Sequence, residues 1–157
     1  MLFLKNLLFT VFVPGLVAGY VPWRMGASRL ADGVRPAQWL IAAPVFLAGA
    51  SIYFWCLWDF GTAGRGTPAP IDPPKVLVVR GLYRYVRNPM YVGVLLVIVG
   101  WTILTRSPNI AIYGAAVAVA FQLFVVFVEE PMLRAQFGES YGTYCRSVSR
   151  WWPTLPA

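Results

Sequence analysis

Four apolar runs, at residues 2–21, 37–58, 90–104 and 110–128, decide most of what this chain can become. A helix needs roughly 20 consecutive apolar residues to cross the hydrocarbon of a bilayer. The second run meets that length, with Trp39 at its start and Trp55 and Trp58 at its end, where an aromatic belt would place them. Only 12% of the residues are charged and 59% are hydrophobic, too little polar surface for a soluble globule of 157 residues. The prediction is one all-α integral membrane domain over residues 1–157, with four transmembrane helices.

The charge pattern sharpens this. Net charge is +7 with no His. The basic residues sit in short connections between apolar runs, which suits membrane orientation and anionic headgroups; no nucleic-acid partner is expected. Without His the chain lacks the commonest general base and transition-metal ligand. Cys56 and Cys145 form no CxxC spacing, so neither a metal site nor a disulfide framework is indicated.

In chain order, the first run contains Lys5, Asn6 and Thr10, and Pro14-Gly15 predicts a kink within it. A cleaved leader is the alternative for this run; its length and the membrane-like remainder favour a span. A polar connection is expected at residues 23–35. After the second run, residues 61–74 hold four prolines and three glycines and suit neither helix nor central strand. Such composition usually means a linker. Leading straight into a dense Arg/Tyr cluster, it reads as a functional loop.

That cluster is Gly81-Leu82-Tyr83-Arg84-Tyr85-Val86-Arg87-Asn88-Pro89-Met90-Tyr91-Val92-Gly93. Asn88 is predicted to cap a helix with its side-chain oxygen, with Pro89 at the first helical position. A helix start beside Arg84 and Arg87 suits a small anion; the plainer reading is a basic, aromatic interface anchor. The apolar part that follows is about 15 residues, roughly 23 Å of helix and short for a ~30 Å core. Thr105-Arg106-Ser107-Pro108-Asn109 reads as a tight turn. The fourth run should return antiparallel and bring Glu129 and Glu130 back to Arg84, Arg87 and Asn88. A salt bridge that merely ties this C-terminal hairpin together is the alternative use of the acids.

Beyond Pro131, apolar residues recur at Leu133, Phe137, Tyr141, Tyr144 and Val148, one face of an interfacial amphipathic helix over residues 132–148 that Gly138 and Gly142 weaken. Four spans put nine Lys/Arg (Lys5, Arg65, Lys75, Arg80, Arg84, Arg87, Arg134, Arg146, Arg150) on one side and four (Arg24, Arg29, Arg35, Arg106) on the other. The positive-inside rule then places both termini and the cluster in the cytoplasm.

The clustered groups include no nucleophile–base pair, phosphate-binding glycine loop or metal set. Reactions remain in which both partners are already reactive and the protein holds them in line. Methyl transfer from S-adenosylmethionine is one. A helix start plus Arg could hold the donor's carboxylate, Glu129 or Glu130 its ammonium, and tyrosines its adenine or sulfonium. These residues permit that assignment without selecting it. A small four-span transporter, or a binding protein without methyltransferase activity, is the alternative; such transporters usually carry an ionisable residue in mid-span, and here the acids gather at one face.

Resemblance selects. Arg87-Asn88-Pro89-Met90-Tyr91 with Gly93, Glu129-Glu130-Pro131, Phe137-Gly138-x-x-Tyr141-x-x-Tyr144 and Arg150-Trp151-x-Pro…, together with Gly64-Arg65-Gly66-Thr67-Pro68 before Gly81-x-Tyr83-Arg84, resemble the membrane-embedded methyltransferases over residues 64–153. That group comprises the isoprenylcysteine carboxyl methyltransferases and the phosphatidylethanolamine N-methyltransferases. The resemblance implies S-adenosyl-L-methionine as cofactor and a lipid acceptor entering from the bilayer. It implies that Arg87, Asn88, Tyr91, Gly93, Glu129 and Glu130 contact or shape the cofactor site, that Tyr83, Arg84, Tyr141 and Arg146 support it, and that Gly64 and Gly66 correspond to a Gly-x-Gly of the phospholipid enzymes. Arg84, Arg87 and Glu130 are the residues expected to act in catalysis. The isoprenylcysteine enzymes generally carry His where Asn88 stands. Asn cannot take up a proton near neutral pH, which favours the phospholipid-type branch.

Overall fold

A computed structural model describes residues 10, 12, 14–64 and 75–154. Among these residues the chain is helical, with no strand. A wide π-helical turn, Gly15–Tyr20, leads into helix α1 (Val21–Ala31). Helix α2 (Pro36–Asp59) runs on into a second π-helical turn, Phe60–Gly64. A 3-10 turn at Gly81–Arg84 precedes α3 (Pro89–Thr105). Helix α4 (Pro108–Phe124) continues through a third π-helical turn, Val125–Glu129, into α5 (Glu130–Phe137), and α6 (Glu139–Ser147) follows.

Two continuous helical stretches, Pro36–Ala63 and Pro108–Phe137, are long and apolar enough to cross a membrane; Pro89–Thr105 is apolar but shorter. Their outward side chains are large and apolar: Leu40, Leu47 and Trp58 on the first, Ile112, Val119 and Phe127 on the second, all exposed. A core helix of a water-soluble protein would cover such a face; a lipid-facing one leaves it open. Half of the first apolar run falls on residues outside the described set. Its continuation departs from expectation, because the polar connection is helical as far as Ala31, carrying Trp23, Arg24 and Arg29 on α1.

Helix α3 is the centre of the packing. It crosses α2 where Gly49 and Gly93 meet: a Cβ at Gly49 would lie 2.7 Å from the Gly93 carbonyl oxygen, and one at Gly93 2.8 Å from that of Gly49. Small residues let the two backbones approach this closely, as membrane helices commonly do. At the other end of the crossing, Gln38 Nε2 donates to the Leu104 carbonyl at 2.8 Å, satisfying an acceptor in the last turn of α3. Trp101 Nε1 and Tyr113 Oη donate to the carbonyls of Ala18 and Val17 at 2.9 and 2.8 Å, fixing the first π-helical turn against α3 and α4. Met90, Val94, Ile98, Tyr53, Cys56 and Ile110 fill the core between them.

The turn after α3 forms as expected. Arg106 takes the left-handed conformation at φ 50°, and Pro108 opens α4. At the far end of the pair, Tyr91 in the first turn of α3 donates to Glu129 at the end of the α4 stretch, at 2.9 Å.

The tail is two helices where the pattern suggested one. Gly138 breaks it with φ 55° and ψ −128°, a conformation that side chains with a Cβ resist. The apolar stripe survives the break: Tyr141, Tyr144 and Val148 are buried against Leu133, Phe137 and Leu77. The segment after α6 then crosses back over the Tyr83–Asn88 region. Arg87 N donates to the Ser149 carbonyl at 2.9 Å, and Thr154 N to that of Tyr85 at 2.8 Å. Tyr144 Oη reaches the Tyr83 carbonyl at 2.7 Å.

Candidate active site

The polar site gathers where three elements converge: the approach to α3, the end of the α4 stretch, and the returning tail. Glu130 is its hub. Arg150 grips it with two parallel bonds, Nε to Oε1 at 2.7 Å and a terminal nitrogen to Oε2 at 3.1 Å. Arg87 donates to Oε1 at 3.1 Å from a second direction, and Arg134, one turn along α5, lies 3.9 Å away. Glu130 is only 6% exposed, so three guanidinium groups replace the water it has lost. The bond to Glu130 also raises the pKa of Arg150, so its cation is secure.

Glu129, one residue earlier, lives differently. The described residues give its carboxylate one side-chain hydrogen-bond donor, Tyr91, and no cation within ion-pair distance. The Tyr91 ring packs on Phe121 at 4.5 Å between centroids and faces Trp151 at 6.4 Å. Trp151 is itself held by a 2.6 Å bond from Nε1 to Gln122 Oε1. Glu129 and Tyr91 line a narrow recess of about 40 Å³ with Phe60, Tyr83, Arg87, Asn88 and Met90. That volume admits a small polar group, since a single water needs about 10–15 Å³ on the same measure. Arg87 spends one terminal nitrogen on Glu130 and on the Cys145 sulfur, at 3.1 and 2.8 Å; its Nε is buried and has no acceptor. The π-helical turns put Phe60 and Glu129 at this recess, a common use of that wide geometry.

Of the sequence-derived candidates, Tyr83, Arg87, Asn88, Tyr91 and Glu129 line the recess, and Glu130 sits behind it. Asn88 is at the cap position of α3 but makes no side-chain cap bond. Its Nδ2 donates instead to the Arg150 carbonyl at 3.1 Å, because the tail offers an acceptor there. Gly93 faces α2 at the crossing with Gly49 and does not line the recess. Arg84 is exposed, with no ion pair among the described residues. Arg146 pairs with Glu139 at 2.6 Å on the outer face of the tail, both well exposed. Tyr141 is buried in the tail core, and Gly64 closes the π-helical turn after α2. Gly66 lies outside the described residues.

Burial holds the phenols of Tyr83, Tyr141 and Tyr144 above their ordinary range, and neighbouring Cys56 and Cys145 push Tyr83 and Tyr141 the same way. All three stay protonated at neutral pH, which makes them donors and packing groups and not bases. Arg150, Cys145 and Trp151 were not among the sequence-derived site residues. The signal for two of them was the Arg150-Trp151 pair at the end of the tail pattern, whose partners lie 20 and 29 residues away.

The family model for phospholipid methyltransferases matches residues 37–140 of the chain, from the first turn of α2 into α6. Both glutamates and every residue lining the recess fall inside that match, whereas Cys145, Arg150 and Trp151 lie beyond it. No curated protein matches the chain.

Proposed function

The chain belongs to the phospholipid methyltransferase family, and on that premise we propose that it moves the methyl group of S-adenosylmethionine to the polar head of a membrane lipid at the cytoplasmic face. The observation that carries this reading is the unequal state of the groups around the recess. Arg87 Nε is a buried donor without an acceptor, and among the described residues Glu129 has no cation within ion-pair distance. An amino-acid zwitterion matches both at once, carboxylate to the guanidinium and ammonium to Glu129. The methionine end of the donor is such a group, so the donor set fits it. The recess suits that end alone, and the nucleoside would have to lie outside it.

S-adenosylmethionine, when bound, supplies a methyl on a sulfonium that a lone pair can take directly, with the thioether as leaving group. Everything else falls to this chain's own residues, and it is chiefly a matter of holding and orienting. Tyr91 fixes the Glu129 carboxylate through its hydroxyl. Glu130 is a positioning residue: neutralised by arginines, it sets the place of Arg87 and pins the tail across the site. Asn88 is engaged with the Arg150 carbonyl and has no group that accepts a proton near neutral pH. An amine acceptor would therefore have to arrive unprotonated. Exposed Arg84, on the turn before α3, is placed to meet the phosphate of a lipid head.

The membrane arrangement proposed with this activity has four spans, with α3 and the α4 stretch as an antiparallel hairpin. Both termini and the site then share the side that holds nine of the thirteen Lys/Arg residues. The direct test is saturable binding of labelled S-adenosylmethionine to the purified protein, followed by mass identification of the lipid that acquires the label. A protein that binds no donor under conditions where it stays folded is not a methyltransferase of this kind.

A further inference from the structure

Three cavities share wall residues and lie in series from an apolar groove to the polar recess. The widest, about 340 Å³, is an apolar groove between the Gly15–Tyr20 turn and α2, floored by α3. Its inner end, at Pro14, Tyr53 and Val94, is also the wall of a second cavity of about 40 Å³. Met90 and Tyr91 of that second cavity are in turn walls of the recess that holds Arg87 and Glu129. Along α3 the track follows Met90, Val94, Val97 and Trp101, steps of four, three and four that make one helix face. That stripe rises roughly 17 Å, about half the thickness of a hydrocarbon core.

We propose that this track seats one apolar chain of the lipid acceptor, its polar head beside Tyr91 at the edge of the recess that takes the donor's methionine end, and its tail leaving between the Gly15–Tyr20 turn and α2. The proposal rests on the methyltransferase reading above. Three observations favour a lipid chain as the occupant. The track ends on the polar site and nowhere else among its shared walls. Phe54, which lines the groove, and Phe12 and Leu16, next in sequence to or near its lining residues Pro14 and Gly15, are apolar and exposed, as lipid-facing residues are. The track's neck is small, about 40 Å³, and Tyr53 is braced there by a 2.9 Å bond between its hydroxyl and that of Thr10. A second apolar groove of similar size, about 300 Å³, lies between α3 and α4 around Ile98, Gly114 and Ala118. It shares no lining residue with the neck or the recess, so it offers no way to Glu129.

The test uses the full-length protein in vesicles of phosphatidylethanolamine and phosphatidylglycerol, with a small fraction of phosphatidylethanolamine carrying a diazirine in mid-chain. Illumination and peptide mapping should place adducts on the Gly15–Tyr20 turn, Ala50–Phe54 and Val97. Adducts confined to Gly114–Ala118, or spread over both grooves alike as bulk lipid would give, overturn the proposal. Gly19→Trp provides a second measure, since Gly19 lines the groove and a Cβ there meets nothing within 4 Å. It should cut adduct yield in the track and raise the KM for phosphatidylethanolamine by about tenfold, with donor affinity unchanged. Ala118→Trp should change neither. The reverse result places the acceptor in the other groove. Labelled-donor binding by the wild type keeps the two failures apart: a protein that binds S-adenosylmethionine but labels elsewhere sinks the track alone, whereas one that binds no donor sinks the methyltransferase reading beneath it.

Discussion

Glu129 and Glu130 are neighbours in the chain and about 100° apart around their helix, and that rotation gives them opposite work. Glu130 turns toward the tail and meets Arg87, Arg134 and Arg150. Glu129 turns toward α3 and meets one tyrosine hydroxyl at the edge of a recess. One carboxylate is saturated and closes the structure; the other keeps bonding capacity and faces the space where a ligand fits. A buried acid with its partners in place is an architectural group, while one still short of a cation is a candidate for binding. Charge alone does not separate the two; the partner list does.

Substitutions can break this contrast, and the largest effect is expected at Glu130. Glu130→Gln leaves Arg87 buried without its counter-charge and releases the two-pronged grip of Arg150. Breaking one side of a buried pair of this kind typically costs about 3–5 kcal/mol. Thermal unfolding in detergent should show that loss, and limited proteolysis should cut the tail near Gly138, where the helix is already broken. An unfolding midpoint equal to the wild type would show that the tail is held by its tyrosine core alone. Glu129→Gln should do the reverse. Stability should move by less than about 1 kcal/mol, since one hydrogen bond is at stake. Affinity for labelled S-adenosylmethionine should fall by at least about tenfold, equivalent to ~1.4 kcal/mol. Equal donor affinity in the Glu129 variant and the wild type would remove the ammonium-binding role.

The sequence carried the large-scale half of this contrast. The second, third and fourth apolar runs announced helices, and Ser107-Pro108 announced a tight turn. The distance from that turn to each end placed the acidic pair beside the Arg87 and Tyr91 cluster. Those features depend on local chemistry and on period, which a single chain displays openly. The division of labour between the two glutamates depends on Arg150, reached by a tail that doubles back over residues 83–88 through backbone bonds such as Arg87 N to Ser149 O. No local pattern encodes such a path. The same tail takes a bond from Asn88 Nδ2 to the Arg150 carbonyl, and the Asn88 side chain makes no bond to cap the helix. Gly93 stands within the motif that marks the site, and its missing Cβ is used by α2.

Smaller changes sharpen the contrast further. Tyr91→Phe removes the hydroxyl that holds Glu129 in place among the described residues and keeps the ring that packs on Phe121. The expected loss is about 1 kcal/mol in donor binding, roughly fivefold, with the Glu130 cluster and thermal stability untouched. The least effect belongs to the pair that looks most like a strong ion pair in distance alone. Glu139 and Arg146 approach to 2.6 Å, but both stand in solvent. The Arg146 bond holds the Glu139 carboxyl below the usual carboxylate range. A depressed pKa in the folded state means any stabilisation is present above the unfolded-state value and disappears as pH falls through the folded one. Exposure leaves little of it to lose, because hydration and screening replace the partner readily. Glu139→Gln and wild type should therefore give superimposable unfolding midpoints from pH 7 down through the carboxylate range. Glu130→Gln should already be displaced at pH 7. A Glu139 variant as unstable as the Glu130 variant would mean that proximity to arginine, and not burial with several partners, is what makes an acid structural in this protein.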